Sequence, residues 1–455
     1  MRRFNWASLF SILFGAIIQI WPAIYNRYPL IATDTFYYIE CGMMGYVPKH
    51  RPIHYGVFIK LFSFFHSLWP VIIIQALIMS YLIFKFLPVK IQEKWYCLAS
   101  VYVLLGFTGA PWYISQVMPE IFGAFMFLSL LIIIQEKYKS LFELIFLYTI
   151  CVYSITTHKI NLLVLPITFL IVGLINLVII KEKLYQRRRF LPFIIILSGW
   201  FFYAFINYSQ DKKFDWRPHS SYAFFLARLS ENGLLQKYLE ENCDTREYRL
   251  CHYIDSIPRN TQYFLFNRDS PFLKTDGWNN TDENKEIVKE IYLSPHFFSK
   301  NVEEAFKNSV KQLKVFSIGH LIRKYRTDGS WGMPILHRFF PVEYDQFLKS
   351  RQMVSVFNFK LFTRINNYII SFFFALMVLV LILSMIHNNL RNNSWLLFAL
   401  LFILFNASIP AILVGITPRY HGRVVWILIL ISIELLNNYI VQRKSGILPP
   451  QRQDA

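Results

Sequence analysis

Thr33–Lys60 reads TDTFYYIECGMMGYVPKHRPIHYGVFIK. One acid, Asp34, opens an aromatic-rich segment. Arg51 and His54, with His50, then gather around Pro52. The stretch sits between two apolar runs, Trp6–Ile24 and Ser67–Leu87. A helix needs about 20 apolar residues to cross the hydrocarbon core of a bilayer. Thr33–Lys60 is too broken by polar residues to do so. Two short amphipathic helices lying on the membrane surface fit it better, within a loop that runs over 25–66.

The rest of the chain supports that frame. Of 455 residues, 55% are hydrophobic and only 16% charged. Soluble domains carry about 25% charge, and the mean hydropathy here is +0.36. Further apolar runs cover Trp95–Leu105, Ile121–Ile134, Leu141–Ile155, Ile160–Ile180, Phe190–Tyr208, Asn367–Met385, Trp395–Leu413 and Val424–Ile440. The expectation is an all-α polytopic membrane protein with about ten transmembrane helices. Met1-Arg2-Arg3 before the first run imitates a signal peptide. No small-x-small cleavage site follows, so a retained span with a cytoplasmic N-terminus is expected.

The net charge of +19 is unevenly spread. Residues 209–366 hold 24 basic and 19 acidic side chains, near balance, against 23 and 9 elsewhere. That asymmetry belongs to basic loops orienting a membrane protein and argues against nucleic-acid binding. Lys90, Lys94, Lys137, Lys139, the run Lys181–Arg189, Arg391, Arg443 and Lys444 fall on one side, the cytoplasm by this rule. The Asp34 loop, the loop ending in Met118-Pro119-Glu120, Thr156–Lys159, residues 209–366 and the loop VGITPRYHGR fall on the other. Three regions result: a seven-span module 1–208, a mainly helical extracytoplasmic domain 209–366 inserted before the last three spans, and a three-span segment 367–455 with a basic cytoplasmic tail. Cys97 and Cys151 lie in or beside apolar runs as packing residues. Cys243 and Cys251 are either disulfide-bonded or both reduced and buried, and an outer location favours the bond.

Several outer-face residues carry chemistry. Asp34 alone fits a helix N-cap or a general base at the membrane surface. Glu120 fits ordinary helix-start chemistry, yet lies on the same face at the same depth. Two such acids could divide acid and base roles or share a divalent cation. Lys159 fits snorkelling or a phosphate contact, and His158 a base, a phosphate donor or an interfacial residue. Arg419, Tyr420 and Arg423 crowd the last outer loop, where basic residues oppose the orientation rule. A guanidinium fork suits phosphate.

Taken together, TDTFYYIE after the first span, RPIHYGVFIKLF, and VMPE after the third span resemble the GT-C superfamily of membrane glycosyltransferases. That group includes protein O-mannosyltransferases and the aminoarabinose transferases of lipid A. The likeness covers roughly Met1–Tyr208. It implies a catalytic acid at Asp34 and a second at Glu120, a polyprenyl-phosphate sugar donor, and transfer to a lipid, glycan or protein acceptor outside the cytoplasm. A bacterial inner membrane is the implied location. Arg51, His54, His158, Lys159, Arg419, Tyr420 and Arg423 are the expected substrate-binding residues. Where the family places an acid pair on the first loop, this chain has Asp34 alone.

Two other readings compete. An O-antigen ligase- or polymerase-like enzyme would centre on Arg419, Arg423 and residues 209–366. A transporter or flippase of lipid-linked substrates predicts ionisable residues within spans and paired halves. Glu434 is the clearest such residue, and no repeat is present.

Overall fold

A computed structural model describes residues 6–48, 51–180, 191–211, 221–355, 357–386 and 394–444. His50, Arg391, the run Lys181–Arg189 and residues 445–455 of the basic tail lie outside the described residues. Among those described, the secondary structure is helical and contains no strand. Two isolated bridges, Leu30 with Gln116 and Ala32 with Ile322, are the extended pairings.

Five helical segments are long and apolar enough to cross a membrane by length and composition: Trp69–Phe86, Asn161–Val178, Phe359–Ile386, Trp395–Leu413 and Pro418–Arg443. They make this an integral membrane protein in character. Five more apolar helices, Trp6–Gln19, Trp95–Gly106, Ile121–Ile134, Leu141–Thr157 and Leu191–Ile206, coincide with the other expected spans but are shorter. At 1.5 Å per residue, a helix like Trp95–Gly106 covers only part of a hydrocarbon core about 30 Å thick. The chain breaks it early at Gly106–Gly109, where a short helix, Ala110–Ile114, turns inward with every residue buried. One apolar core runs through both the long and the shorter helices.

The first loop folds as the two expected short helices, Thr33–Met44 and His54–Phe62. Their crossing is set by two glycines. A Cβ on Gly42 would lie 2.1 Å from the Gly56 carbonyl oxygen. These helices are not loosely laid on a surface: Phe36, Tyr38, Ile39, Tyr55, Phe58 and Ile59 are all buried.

Residues 209–366 do not pack as one unit. A separate core joins Leu226, Leu235, Leu239, Phe264, Phe272 and Ile287. Tyr325, Met333, Leu336, Phe340 and Phe347 instead belong to the core of the apolar helices. Ile318, Ile322 and Phe357 close over Leu30 and Trp112. The carboxylate of Glu343 anchors this second part. It accepts from Tyr28 Oη at 2.9 Å, Ser67 Oγ at 2.5 Å and the Leu68 N–H at 2.9 Å. A buried acid with three donors is well satisfied.

Two ion pairs link apolar helices or the turns beside them. Lys85 meets Glu143 at 3.0 Å and Lys137 meets Glu434 at 2.9 Å. Glu434, the ionisable residue singled out within a span, is thus held by a lysine of a neighbouring segment. Cys243 and Cys251 are joined as a disulfide, and Cys41, Cys97 and Cys151 are free.

Candidate functional site

Asp34 enters through the first turn of Thr33–Met44. The N-cap is Ala32, and Thr35 Oγ1 accepts the Ala32 N–H at 3.0 Å. Thr35 Oγ1 also donates to the Val117 carbonyl at 2.9 Å. Asp34 is therefore not the cap, and its carboxylate is left for side-chain partners. The backbone nearby is stitched to the loop that leads to Glu120. Leu30 N donates to Ser115 O at 2.9 Å, and Val117 N donates to Leu30 O at 3.1 Å.

Four charges then form one chain. Arg51 Nη2 donates to Asp34 Oδ1 at 2.6 Å, and Arg419 Nη1 donates to Asp34 Oδ2 at 2.9 Å. The same Arg419 nitrogen lies 3.1 Å from Glu120 Oε1. Asp34 and Arg419 are 385 positions apart in sequence. Burial raises the Asp34 pKa, but Arg51 and Arg419 outweigh it and hold the carboxyl below its ordinary value. Burial and the Asp34 charge push Glu120 the other way, above its ordinary value, against the pull of Arg419. The two acids are thus unequal: Asp34 is a clamped carboxylate and Glu120 the more readily protonated group.

Arg423 lies behind this chain and is fully buried. Asn406 Oδ1 accepts from its Nε at 3.1 Å and its Nη2 at 2.6 Å, and Asn161 Oδ1 accepts from Nη2 at 3.2 Å. Gly123 leaves the room: a Cβ there would lie 3.1 Å from Arg423 Nε. PRYHGR is therefore not an exposed loop. Pro418–Val425 is a helix with Tyr420, His421 and Arg423 all buried. A polar sequence read as a loop turns inward because asparagines on two other helices satisfy its arginine.

His158 follows the Leu141–Thr157 helix and meets the Tyr420 ring edge-on at 6.1 Å. Burial first, then Arg423, Arg419 and Arg51, push its pKa far down. Lys159 is pushed down to about 7 by burial and by Arg51. Both residues stand within electrostatic reach of the arginines. His54 does not join them. It stacks on Tyr203 at 5.4 Å and faces Phe202, and burial takes it down to about 3. His421 packs edge-on against Phe316.

Three participants carry no clear local signal. Asn161 opens an apolar run and Asn406 sits inside one, and a polar residue within a span is the one clue available. His320 lies in an ordinary polar stretch, yet burial and Arg419 push it down to about 4, while Asp34 pulls the other way.

The donor set does not fit a divalent cation. Asp34 and Glu120 share Arg419, and Arg51, Arg423 and Lys159 add positive charge around them. Among the described residues, no group of three or more His, Cys, Asp or Glu side chains could hold a metal. The cluster has the opposite bias. Arg51 Nε, Arg419 Nε and Arg423 Nη1 are buried donors without partners. Three guanidiniums against two carboxylates favour an anion.

An open apolar cavity of about 450 Å³ lies between the Leu141–Thr157 and Leu191–Asp211 helices, lined by Tyr148, Val152, Leu197, Phe201 and Phe202. A second, of about 500 Å³, lies around Tyr238, Lys289 and Phe297. Neither is lined by a residue of the charged cluster. Compared with known protein families, with curated proteins and with solved structures, the chain matches no family model, no curated protein and no solved structure.

Proposed function

We propose that this chain is a membrane-embedded glycosyltransferase that moves a sugar from a polyprenyl-phosphate donor to a lipid, glycan or protein acceptor at the extracytoplasmic face. The observation that carries the reading is the chain Arg51–Asp34–Arg419–Glu120, with unpartnered donors on Arg51, Arg419 and Arg423. Transfer needs a proton acceptor for an incoming hydroxyl and cations for a phosphate that departs with negative charge. Both lie within one cluster here.

In this mechanism the acceptor oxygen forms a bond to the anomeric carbon, and the bond from that carbon to the phosphate oxygen breaks. The acceptor proton passes to a carboxylate, Asp34 or Glu120. The bonding electrons leave with the phosphate, held by Arg51, Arg419 and Arg423. Lys159 adds charge near Arg51. The open groove beside His54 suits an isoprenoid tail, since Val152, Leu197, Phe201 and Phe202 make most of its lining apolar.

The test is a glycan and lipid profile of cells with and without the protein, repeated with Asp34→Asn. Loss of one glycosylated species in both is the expected result. An unchanged profile on deletion overturns the transferase reading. Loss on deletion that Asp34→Asn does not reproduce, but Arg423→Ala does, moves the assignment to a ligase-like enzyme.

A further inference from the structure

Trp331 stands out among the exposed aromatic residues. Trp6 and Trp95, 74% and 75% exposed, sit at the starts of apolar helices, as rings at a membrane interface do. Trp331 is 44% exposed and follows the polar turn Thr327–Ser330. Gly329 takes φ +81° in that turn, which favours glycine. Gly332 then seats the segment on Phe36, whose ring lies 2.1 Å from where a Cβ would stand. The loop is fixed on the helix that carries Asp34.

The indole ring lies on Tyr37, with centroids 4.1 Å apart and planes inclined at 43°. It also meets Phe36 edge-on at 5.8 Å. Tyr37 in turn lies under the Arg51 guanidinium, 5.5 Å from the ring centre, and Arg51 bonds Asp34. One contact chain therefore runs from a half-exposed indole to the Asp34 carboxylate. Glu40 is three residues from Tyr37 on the same helix face and acts on it electrostatically. Tyr46 Oη donates to Glu40 Oε2 at 2.8 Å. The Tyr37 ring thus has the Glu40 carboxylate near it, and Asp328 is exposed in the segment before Trp331.

We propose that Trp331 and Tyr37 form a stacking platform for a neutral saccharide ring beside the Asp34 cluster. A pyranose offers one apolar C–H face and a rim of hydroxyls. A fixed indole edged by a carboxylate and a phenol matches both features. A lipid chain offers no hydrogen-bond donor to Glu40 or Asp328, whereas the hydroxyl rim of a sugar does. Only the assignment of this sugar as a substrate of transfer rests on the glycosyltransferase reading.

Saturation-transfer NMR on the purified full chain tests this with trisaccharides of glucose, galactose, mannose and N-acetylglucosamine. At least one is expected to bind wild-type protein. Its affinity falls roughly threefold to tenfold in Trp331→Ala, the range for one aromatic contact. Trp331→Phe keeps a flat ring and retains most of the binding, which separates stacking from misfolding. If no trisaccharide binds wild-type protein, or Trp331→Ala binds as well as wild type, the platform is overturned. Strong quenching of the Trp331 fluorescence by brominated acyl chains overturns it as well, by identifying a membrane anchor. Trp331-dependent binding with an unchanged cellular glycan and lipid profile leaves the platform standing and removes the transferase reading. Transfer without such binding does the reverse.

Discussion

Gln352 closes its side-chain amide on both backbone polar groups of Ile31. The Ile31 N–H donates to Oε1 at 3.1 Å, and Nε2 donates to the Ile31 carbonyl at 2.6 Å. Gln312 does the same to Thr417: the Thr417 N–H donates to Oε1 at 2.9 Å, and Nε2 donates to the Thr417 carbonyl at 2.8 Å. Ile31 lies three residues before Asp34, and Thr417 two before Arg419. Each half of the Asp34–Arg419 pair is thus held by one glutamine from residues 209–366. Gln352 fixes the backbone that leads to Asp34, and Gln312 the backbone that leads to Arg419.

Gln352→Ala is expected to destabilise the chain by about 1–3 kcal/mol, because the buried Ile31 N–H loses its partner while the Ile31 carbonyl keeps Tyr325 Oη. Gln312→Ala should do likewise. The measurement is thermal melting of purified protein in one detergent. Melting unchanged in both variants would show that the glutamines are incidental to the fold.

The Cys243–Cys251 bond closes a loop with a sequence separation of 8. Mass mapping under non-reducing conditions should find the linked peptides. Replacing both cysteines by serine should cost about 2–3 kcal/mol, the chain-entropy value for so short a loop. Free thiols at both positions in the native membrane would place this subdomain in a reducing compartment and reverse the expected orientation.

The positions of the apolar helices were legible because apolar runs need no partner to be recognised. Two short helices do form in the first loop, and Asp34, Glu120, Arg51 and Arg419, all singled out in the sequence, meet in one cluster. Depth was not legible. His54 reads as a basic surface residue and is buried against Tyr203 because its helix turns that face inward. Arg423 reads as a loop residue and is buried because Asn161 and Asn406, far off in sequence, satisfy it. Gln312, Gln352 and His320 lie in polar stretches where nothing local separates a buried amide or imidazole from a solvated one.

Lys159 gives the cluster a pH response. Its pKa falls from 10.5 to about 7 through burial and Arg51. A lysine pKa lower in the folded chain means that the unfolded chain binds the extra proton. Stability from this group therefore rises with pH between about 7 and 10. Site charge moves the opposite way, since Lys159 gains its proton as pH falls through 7. Sulfate keeps its charge over this window and is a suitable probe. Its affinity, read by calorimetry, should tighten about threefold to tenfold from pH 8 to pH 6 for one added nearby charge. Lys159→Arg should flatten the profile. A flat wild-type profile would remove Lys159 from the anion site.

Arg423→Ala should act through anion handling and stability together. It leaves Asn406 Oδ1 and Asn161 Oδ1 buried without their donor, at a cost of about 1–3 kcal/mol for each acceptor stranded. Arg423→Lys restores the charge but not the fork that spans both asparagines. Sulfate binding should therefore be weak in both variants. Lysine that restores wild-type affinity would show that charge alone matters at this position.

Asp34→Asn is expected to lower transfer by about 100- to 10,000-fold, the usual cost of losing a positioned proton-transfer group, with the protein still folded and inserted. Asn keeps the size of Asp, and the capping bond at this helix start belongs to Thr35, so the helix should survive. What disappears is the negative charge between Arg51 and Arg419, 2.6 Å and 2.9 Å away. Those cations then lose their shared partner, and sulfate should bind the variant more tightly than wild type. Glu120→Gln separates the two acids. If Glu120 takes the proton, its variant loses transfer while Asp34 still clamps both arginines, and sulfate affinity changes little. Equal loss of transfer in both, with tighter sulfate binding only in Asp34→Asn, would assign Asp34 to holding the arginines and Glu120 to the proton. Near-normal transfer in Asp34→Asn would take Asp34 out of the mechanism and centre the chemistry on Arg419 and Arg423.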